Sequence, residues 1–272
     1  MNVSPPHAGS FLPRHCQIIA LVAASVVCHG FGVFLMAATP ARPPAITGSE
    51  SPAQRAARES WAFTPDPALP NVLILGDSIS VGYTRDVRTR LAGRANVFRP
   101  MTANGNGPEN CQGTTLGLQK IDTWLEGRKW DVIHFNWGLH DLKHVKVAGS
   151  AENSNEVTDP LQAPLPVYAD NLRQIVTKLK ATGARLVFAT TTPVAPETTA
   201  PLRSPAAPPA YNATALAIMQ ANGVHVNDLF SLGESVPHTQ LPQNVHYNAT
   251  GLTKLGEAVA RVIDEELKAH RK

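Results

Sequence analysis

Cysteine is scarce in this chain, with three in 272 residues. Two of them, Cys16 and Cys28, fall in an apolar N-terminal stretch, so a processed protein keeps only Cys111 and forms no internal disulfide. Stability must then come from packing, and 43% hydrophobic residues over this length supply one medium-sized core. An excess of one charge is also missing. The formal balance is +3, and the basic residues are scattered without runs, which argues against nucleic acid as a partner. There is no glycine-rich phosphate loop of the Walker type and no His, Asp, Glu and Cys set at metal-ligand spacing, so neither cofactor nor metal is expected. No internal repeat is present.

The N-terminus is organised differently from the rest. Arg14 and His15 precede an uncharged stretch, residues 18–38, which is followed by small residues and Pro40. That is the layout of a signal peptide. It is also about the 20 residues needed to span a bilayer, so residues 1–44 are read as a signal peptide or an uncleaved membrane anchor. Either reading exports the remainder to the periplasm or the extracellular space, and the anchor reading adds a membrane tether through residues 18–38. Val26 and Val27 stand where a lipobox before Cys28 would need small residues. Residues 45–70 are rich in Pro, Ala and Ser without periodicity, as in a linker. The folded domain is therefore expected over residues 71–272.

Within the domain, short β-rich runs alternate with segments of helical period. The runs 71–75, 96–99, 131–136, 185–190 and 223–226 predict five strands. Leu116, Ile121, Trp124 and Leu125 form one helical stripe, and Leu172, Ile175, Val176 and Leu179 another that ends at Gly183. The last helix carries Leu252, Leu255, Val259, Val262, Ile263 and Leu267 on one face, with Asn248 placed to cap it. Such alternation predicts an α/β fold with a parallel sheet and helices on both faces. Ligands of such sheets bind at the carboxyl ends of the strands. Two of the segments that leave those ends are long, 143–167 and 192–209, and long excursions there commonly form lids or binding walls.

Directly after the first strand stands Gly76-Asp77-Ser78-Ile79-Ser80. Glycine permits a tight turn, and the serine is delivered to a helix N-terminus whose N–H groups stabilise negative charge. A serine hydroxyl needs an imidazole within hydrogen-bond reach to become a nucleophile. His246, in Gln243-Asn244-Val245-His246-Tyr247-Asn248 before the final helix, lies at the same sheet edge.

Gly-Asp-Ser-Ile-Ser after the first strand with a late Val-His before the last helix resembles the SGNH hydrolases, also called GDSL esterases, over about residues 71–268. The resemblance implies a three-layer α/β/α domain with a five-stranded, flavodoxin-like sheet, an acyl-serine mechanism at Ser78, and His246 as base. It also implies an oxyanion hole built from the Ser78 N–H, a glycine of the second block and an asparagine of the third. Gly113 matches the second block, with Gly105 and Gly107 close by as rivals. The third block, usually Gly-x-Asn-Asp, is similar to Gly138-Leu139-His140-Asp141, where His140 takes the asparagine position. A neutral imidazole N–H, or the nearby amide of Asn136, would have to serve as donor. Gln243 stands where the family has the aspartate three residues before its histidine, so its carbonyl would orient the imidazole without adding charge. Asp228 is read as a capping or solvent residue, and Cys111 and His144 are assigned no role. His134 is read as a satisfied core residue. Trp137 and Asn136 are candidates for lining the substrate site, with core packing as the stronger alternative for the tryptophan.

The expected function is ester hydrolysis, with O-acetyl groups on extracellular carbohydrate as the expected substrate by analogy. A lipase, a thioesterase and a membrane-tethered acyltransferase share the same residues. A non-catalytic carbohydrate-binding protein is the alternative that the changes at His140 and Gln243 raise.

Overall fold

The computed structural model describes residues 51–270, and the apolar segment 18–38 lies outside them. Five strands form one parallel sheet in the order β2-β1-β3-β4-β5, where β1 is Asn71–Leu75, β2 Asn96–Phe98, β3 Val132–Phe135, β4 Arg185–Ala189 and β5 His225–Asn227. This is the doubly wound, flavodoxin-like order that the resemblance implied, with its switch point between β1 and β3. Val72, Ile74 and Leu75 of β1 are fully buried, as are Val132, Ile133 and Phe135 of β3. Both faces of these strands are therefore covered, which is why they read as apolar runs rather than alternating ones.

The helices fall into two layers. On one face α2 (Ser78–Arg90) packs against α7 (Ala249–His270), joined by the short α6 (Leu229–Ser235). On the other, α3 (Thr114–Leu125), α4 (Leu165–Ala181) and α5 (Ala207–Asn222) pack in series. Gly82 brings α2 close to α7, since a Cβ there would lie 2.6 Å from a methyl of Leu252. The predicted stripes on α3, α4 and α7 all turn inward: Ile121, Leu172, Ile175, Leu255, Val259 and Ile263 are completely buried. Among the described residues no helix is long and apolar enough to cross a membrane.

Two segments depart from the sequence reading. Residues 45–70 are not a linker throughout, because α1 (Pro52–Trp61) forms there, opened by a capping box between Ser51 and Gln54. The chain after it docks on the domain. Arg88 donates to the Trp61 carbonyl at 3.0 Å and lies over the Phe63 ring, and Phe63 packs on Phe98. Asn96 binds the backbone of Asp66 and Leu69. The second departure is α5, whose two prolines occupy its first turn, where the missing N–H costs nothing.

Candidate active site

The site is built where the sheet's carboxyl edge meets three short turns. After β1, Gly76 turns the chain so tightly that a Cβ would lie 2.9 Å from the Ser80 hydroxyl. Asp77 then caps α2 by accepting from the Ile79 N–H at 2.9 Å, and Ser78 is the first helical residue. Burial raises the Asp77 carboxyl above its ordinary range, against the pull of the Ile79 N–H, Arg203, Arg99 and His246. Among the described residues the Ser78 N–H has no acceptor, as expected in a helix's first turn.

His246 reaches this turn from the loop before α7, which is closed by hydrogen bonds from Leu241 N–H to the His246 carbonyl and from Asn248 N–H to the Thr239 carbonyl. Its Nε2 lies 2.7 Å from Ser78 Oγ. Its Nδ1 lies 2.6 Å from Asn244 Oδ1, and the same oxygen accepts the His246 backbone N–H at 3.0 Å. That second bond identifies the atom as the amide oxygen. Nδ1 must then carry the proton, which leaves the Nε2 lone pair directed at the serine hydroxyl.

This arrangement corrects the sequence reading at Gln243. Its backbone is left-handed, with φ of 52°, and its amide donates outward to Glu197 at 3.0 Å. Asn244, two residues before the histidine, holds the imidazole instead. The order Ser-His-Asn has the geometry of a triad but adds no charge behind the imidazole. Asp228 caps α6 and accepts from Thr190, as expected of a capping residue.

The second and third blocks are tied together. Asp141 of the third block accepts both the N–H and the hydroxyl of Thr114 on Oδ1, at 2.8 and 2.5 Å. This fixes the start of α3, for which Gly113 is the N-cap. A Cβ at Gly113 would lie 3.0–3.1 Å from the Gln162 and Asp141 oxygens, whereas one at Gly105 or Gly107 would meet nothing within 4 Å. Gly113 is thus the glycine seated against the third block, and Asn110 from the same loop lines the cavity beside Ser78. Burial pushes the Asp141 carboxyl up to about 7.

Sequence reasoning missed Arg99, which is 5% exposed. Its guanidinium donates to the Gly76 carbonyl at 2.5 Å, the Glu109 carbonyl at 3.0 Å and the Ser80 hydroxyl at 2.7 Å, joining the serine turn to the second-block loop. Its spacing from the serine carries no recognisable signal.

His140 lines the same cavity as Ser78 and His246. Burial, with Lys143, Arg203 and His246 nearby, lowers it to about 3, so it is neutral at ordinary pH. Its Nδ1 is buried without a hydrogen-bond partner. Asn136 does not reach this cavity. Its amide donates to the Ala189 carbonyl at 2.7 Å and bridges β3 to β4. Trp137 is likewise no part of the cavity wall: it is fully buried, packs at a tilt beside Phe135, and donates to the Cys111 carbonyl at 3.3 Å. The alternation of strand side chains sends Phe135 and Trp137 together into the core. His134 is a core residue in a weaker sense than expected, since Asn227 meets its Nε2 at 3.3 Å while Nδ1 has no partner. No metal-binding cluster occurs among the described residues.

The remaining wall comes from the two long excursions, which are stitched to each other. Lys143 pairs with Arg203 in an antiparallel bridge, and His144 N–H and Ser154 carbonyl bind Leu202 from both sides at 2.9 Å. The result is a cavity of about 320 Å³ lined by Ser78, His140 and His246 together with Lys143, Thr198 and Arg203.

A paired serine and imidazole at a helix start on a doubly wound sheet is serine-hydrolase geometry. Residues 74–253 match the GDSL-like lipase/acylhydrolase family, and the chain belongs to that family of carboxylic ester hydrolases. Among solved structures it is similar to a lipase/acylhydrolase from Enterococcus faecalis, with 17% identity, 72% of this chain and 96% of that one covered, and a TM-score of 0.56. It is also similar to an acetyl xylan esterase, at 12% identity, 71% and 99% coverage and a TM-score of 0.55. A carbohydrate esterase family 3 protein from Talaromyces cellulolyticus follows, at 14% identity, 74% and 99% coverage and a TM-score of 0.54. At these identities the likeness is one of fold. No curated protein matches the chain.

Proposed function

We propose that the chain is an exported carbohydrate O-acetylesterase that works through an acyl-serine on Ser78. The observation that carries this reading is the relay from Ser78 Oγ through His246 to Asn244, at 2.7 and 2.6 Å. Ser78 Oγ attacks the acyl carbonyl while His246 Nε2 takes its proton. The oxyanion is met by the N–H groups of Ser78 and Gly113 and by a neutral His140 N–H. The protonated His246 then returns its proton to the departing sugar oxygen. Water, activated by the same nitrogen, releases acetate from the acyl-serine.

A small acyl group suits the cavity, which is at the low end of ligand-site volumes and is lined mainly by polar side chains. A long acyl chain would need an apolar trench. The acetyl xylan and carbohydrate esterases among the structural relatives support the carbohydrate substrate, and the uncharged stretch after Arg14 supports export. The test is a panel of acetyl, butyryl and octanoyl esters with a Ser78→Ala control. Hydrolysis should fall steeply with acyl length and vanish in the control. Equal turnover of acetyl and octanoyl esters would contradict the acetylesterase reading.

A further inference from the structure

Two cations are buried in the cavity beside Ser78 with no carboxylate in contact. Lys143 is 4% exposed and Arg203 is 7% exposed. Lys143 Nζ donates to the Asn153 side-chain oxygen at 2.8 Å. Arg203 spends Nε on the Leu139 carbonyl at 2.7 Å and directs Nη1 at the Pro201 carbonyl at 3.5 Å. Neither takes part in an ion pair among the described residues, although exposed cations such as Lys146 and Lys178 do. The other cavity-lining side chains, among them Asn110, Thr198, His140 and Asn244, include no carboxylate. The acids that act on them are Asp77, which attracts Arg203, and Asp141, which attracts Lys143; neither reaches ion-pair distance, and both are engaged with backbone N–H groups.

A buried charge with no carboxylate in contact is costly for a fold to hold. Two of them, brought to one cavity by the antiparallel pairing of Lys143 with Arg203, are poorly explained by packing alone. Burial lowers Lys143 to about 8 and Arg203 to about 10, so both still carry charge at neutral pH. Arg203 Nη2 has no hydrogen-bond partner among the described residues and the Lys143 ammonium spends one donor on Asn153, so both residues keep charged donors free at the cavity they line. Two donors from separate segments suit the two oxygens of one oxyanion group.

We infer that the cavity selects esters whose alcohol or acyl portion carries an oxyanion group, a carboxylate or a phosphate, held between Lys143 and Arg203. This rests on the ester-hydrolase reading and narrows it. The natural substrate would then be an O-acyl group on an acidic carbohydrate, such as one containing a uronic acid, rather than on a neutral one. Lys143 and Arg203 are specificity-determining residues in this assignment, distinct from the oxyanion donors that serve every ester.

Binding and turnover test it separately. In the full chain with Ser78→Ala, which prevents turnover, glucuronate, inorganic phosphate and glucose are titrated while the histidine and arginine side-chain NMR signals are followed. Glucuronate or phosphate should bind at least about tenfold more tightly than glucose, and the preferred one identifies the source of the charge. Equal or undetectable binding of all three overturns the inference, whether or not the protein cleaves esters. In the active protein, the ratio of kcat/KM for acetylated methyl glucuronoside over acetylated methyl glucoside should exceed about ten, and it should collapse toward one in Lys143→Gln. Should loss of the Asn153 contact impair folding of Lys143→Gln, Arg203→Lys gives a second reading, in which the ratio should also fall because the guanidinium fork is lost. A ratio of one in the parent, or one that Lys143→Gln leaves unchanged, contradicts the assignment. If the ratio stays high in Lys143→Gln while kcat for both esters falls together, Lys143 acts on the reacting carbonyl and the proposal fails. Absence of all turnover together with tight glucuronate binding would reject the hydrolase reading and leave the anion site standing.

Discussion

The turn after β1 and the excursion after β4 both leave the carboxyl edge of the sheet, yet they are held in opposite ways. The first is only a few residues long, and its carbonyls and hydroxyls are pinned by Arg99 while Asp77 caps the helix that follows. The second runs from Thr190 to the start of α5 and is held mostly by its partner excursion, through the Lys143–Arg203 bridge and the Leu202 backbone bonds. Groups that must meet within tenths of an ångström sit on the short, pinned turns. Side chains that choose among ligands sit on the long ones. The division fits general physics, because a misplaced nucleophile costs far more than a misplaced binding group, while loop length costs stability only slowly.

This contrast can be broken first at the pinned side. His140 lies in the third block, tied through Asp141 to Thr114, and replacing it should affect the chemical step alone. His140→Ala is expected to lower kcat about 100-fold with little change in KM, and His140→Asn to retain more activity because its amide also donates. The two variants must be ordered that way in steady-state kinetics with unchanged melting curves. Parental turnover in His140→Ala would make the residue structural.

A smaller effect separates the two amides before the histidine. Asn244→Ala should reduce kcat about tenfold, by releasing the imidazole from its tautomer and orientation. Asn244→Asp should match or exceed the parent, because a carboxylate at this position stabilises the imidazolium. Gln243→Ala, which loses only the exposed contact with Glu197, should stay within about twofold. If Gln243→Ala proves the more damaging of the two alanine variants, the loop geometry around His246 is wrong.

The long side yields the smallest and most pH-dependent effect. Lys143 faces Arg203, Asp141 and His140, and burial with Arg203 lowers it to about 8. Above that pH it loses its charge, so any preference for an anionic ester should decline by several-fold between about pH 7 and 9. The stability effect has the opposite sign. The folded pKa is below the unfolded one, so between the two the unfolded chain holds more protons and stability rises with pH. A Lys143→Gln variant should lack both trends when compared with the parent by kinetics and by melting curves.

The sequence made β1, the serine turn, the α7 stripe and the parallel sheet legible because each depends on local chemistry: an apolar run, a glycine, a helical period. The segments that escaped are those where local composition and tertiary contact disagree. Residues 52–61 are rich in Ala and Arg with a proline, and the chain that leaves them docks through Trp61, Phe63 and Asp66 on Arg88, Phe98 and Asn96, far away in sequence. Asn244 was overlooked because spacing along the chain favours Gln243. What decides between them is a left-handed φ at Gln243 that turns its side chain outward. Asn136 and Trp137 sit at the right strand end, but the pleat and the bridge to Ala189 turn them from the cavity. Lys143 and Arg203 lie 60 positions apart and meet only because two excursions pair. No single-segment pattern could join them.

The central claim is that Ser78 is the nucleophile that His246 activates. A serine-directed fluorophosphonate, followed by mass spectrometry of the digested protein, tests it most directly. The adduct should lie on the peptide containing Ser78, and labelling should slow markedly in His246→Ala. An adduct on a different serine, or none in a protein that hydrolyses esters, would contradict the assignment.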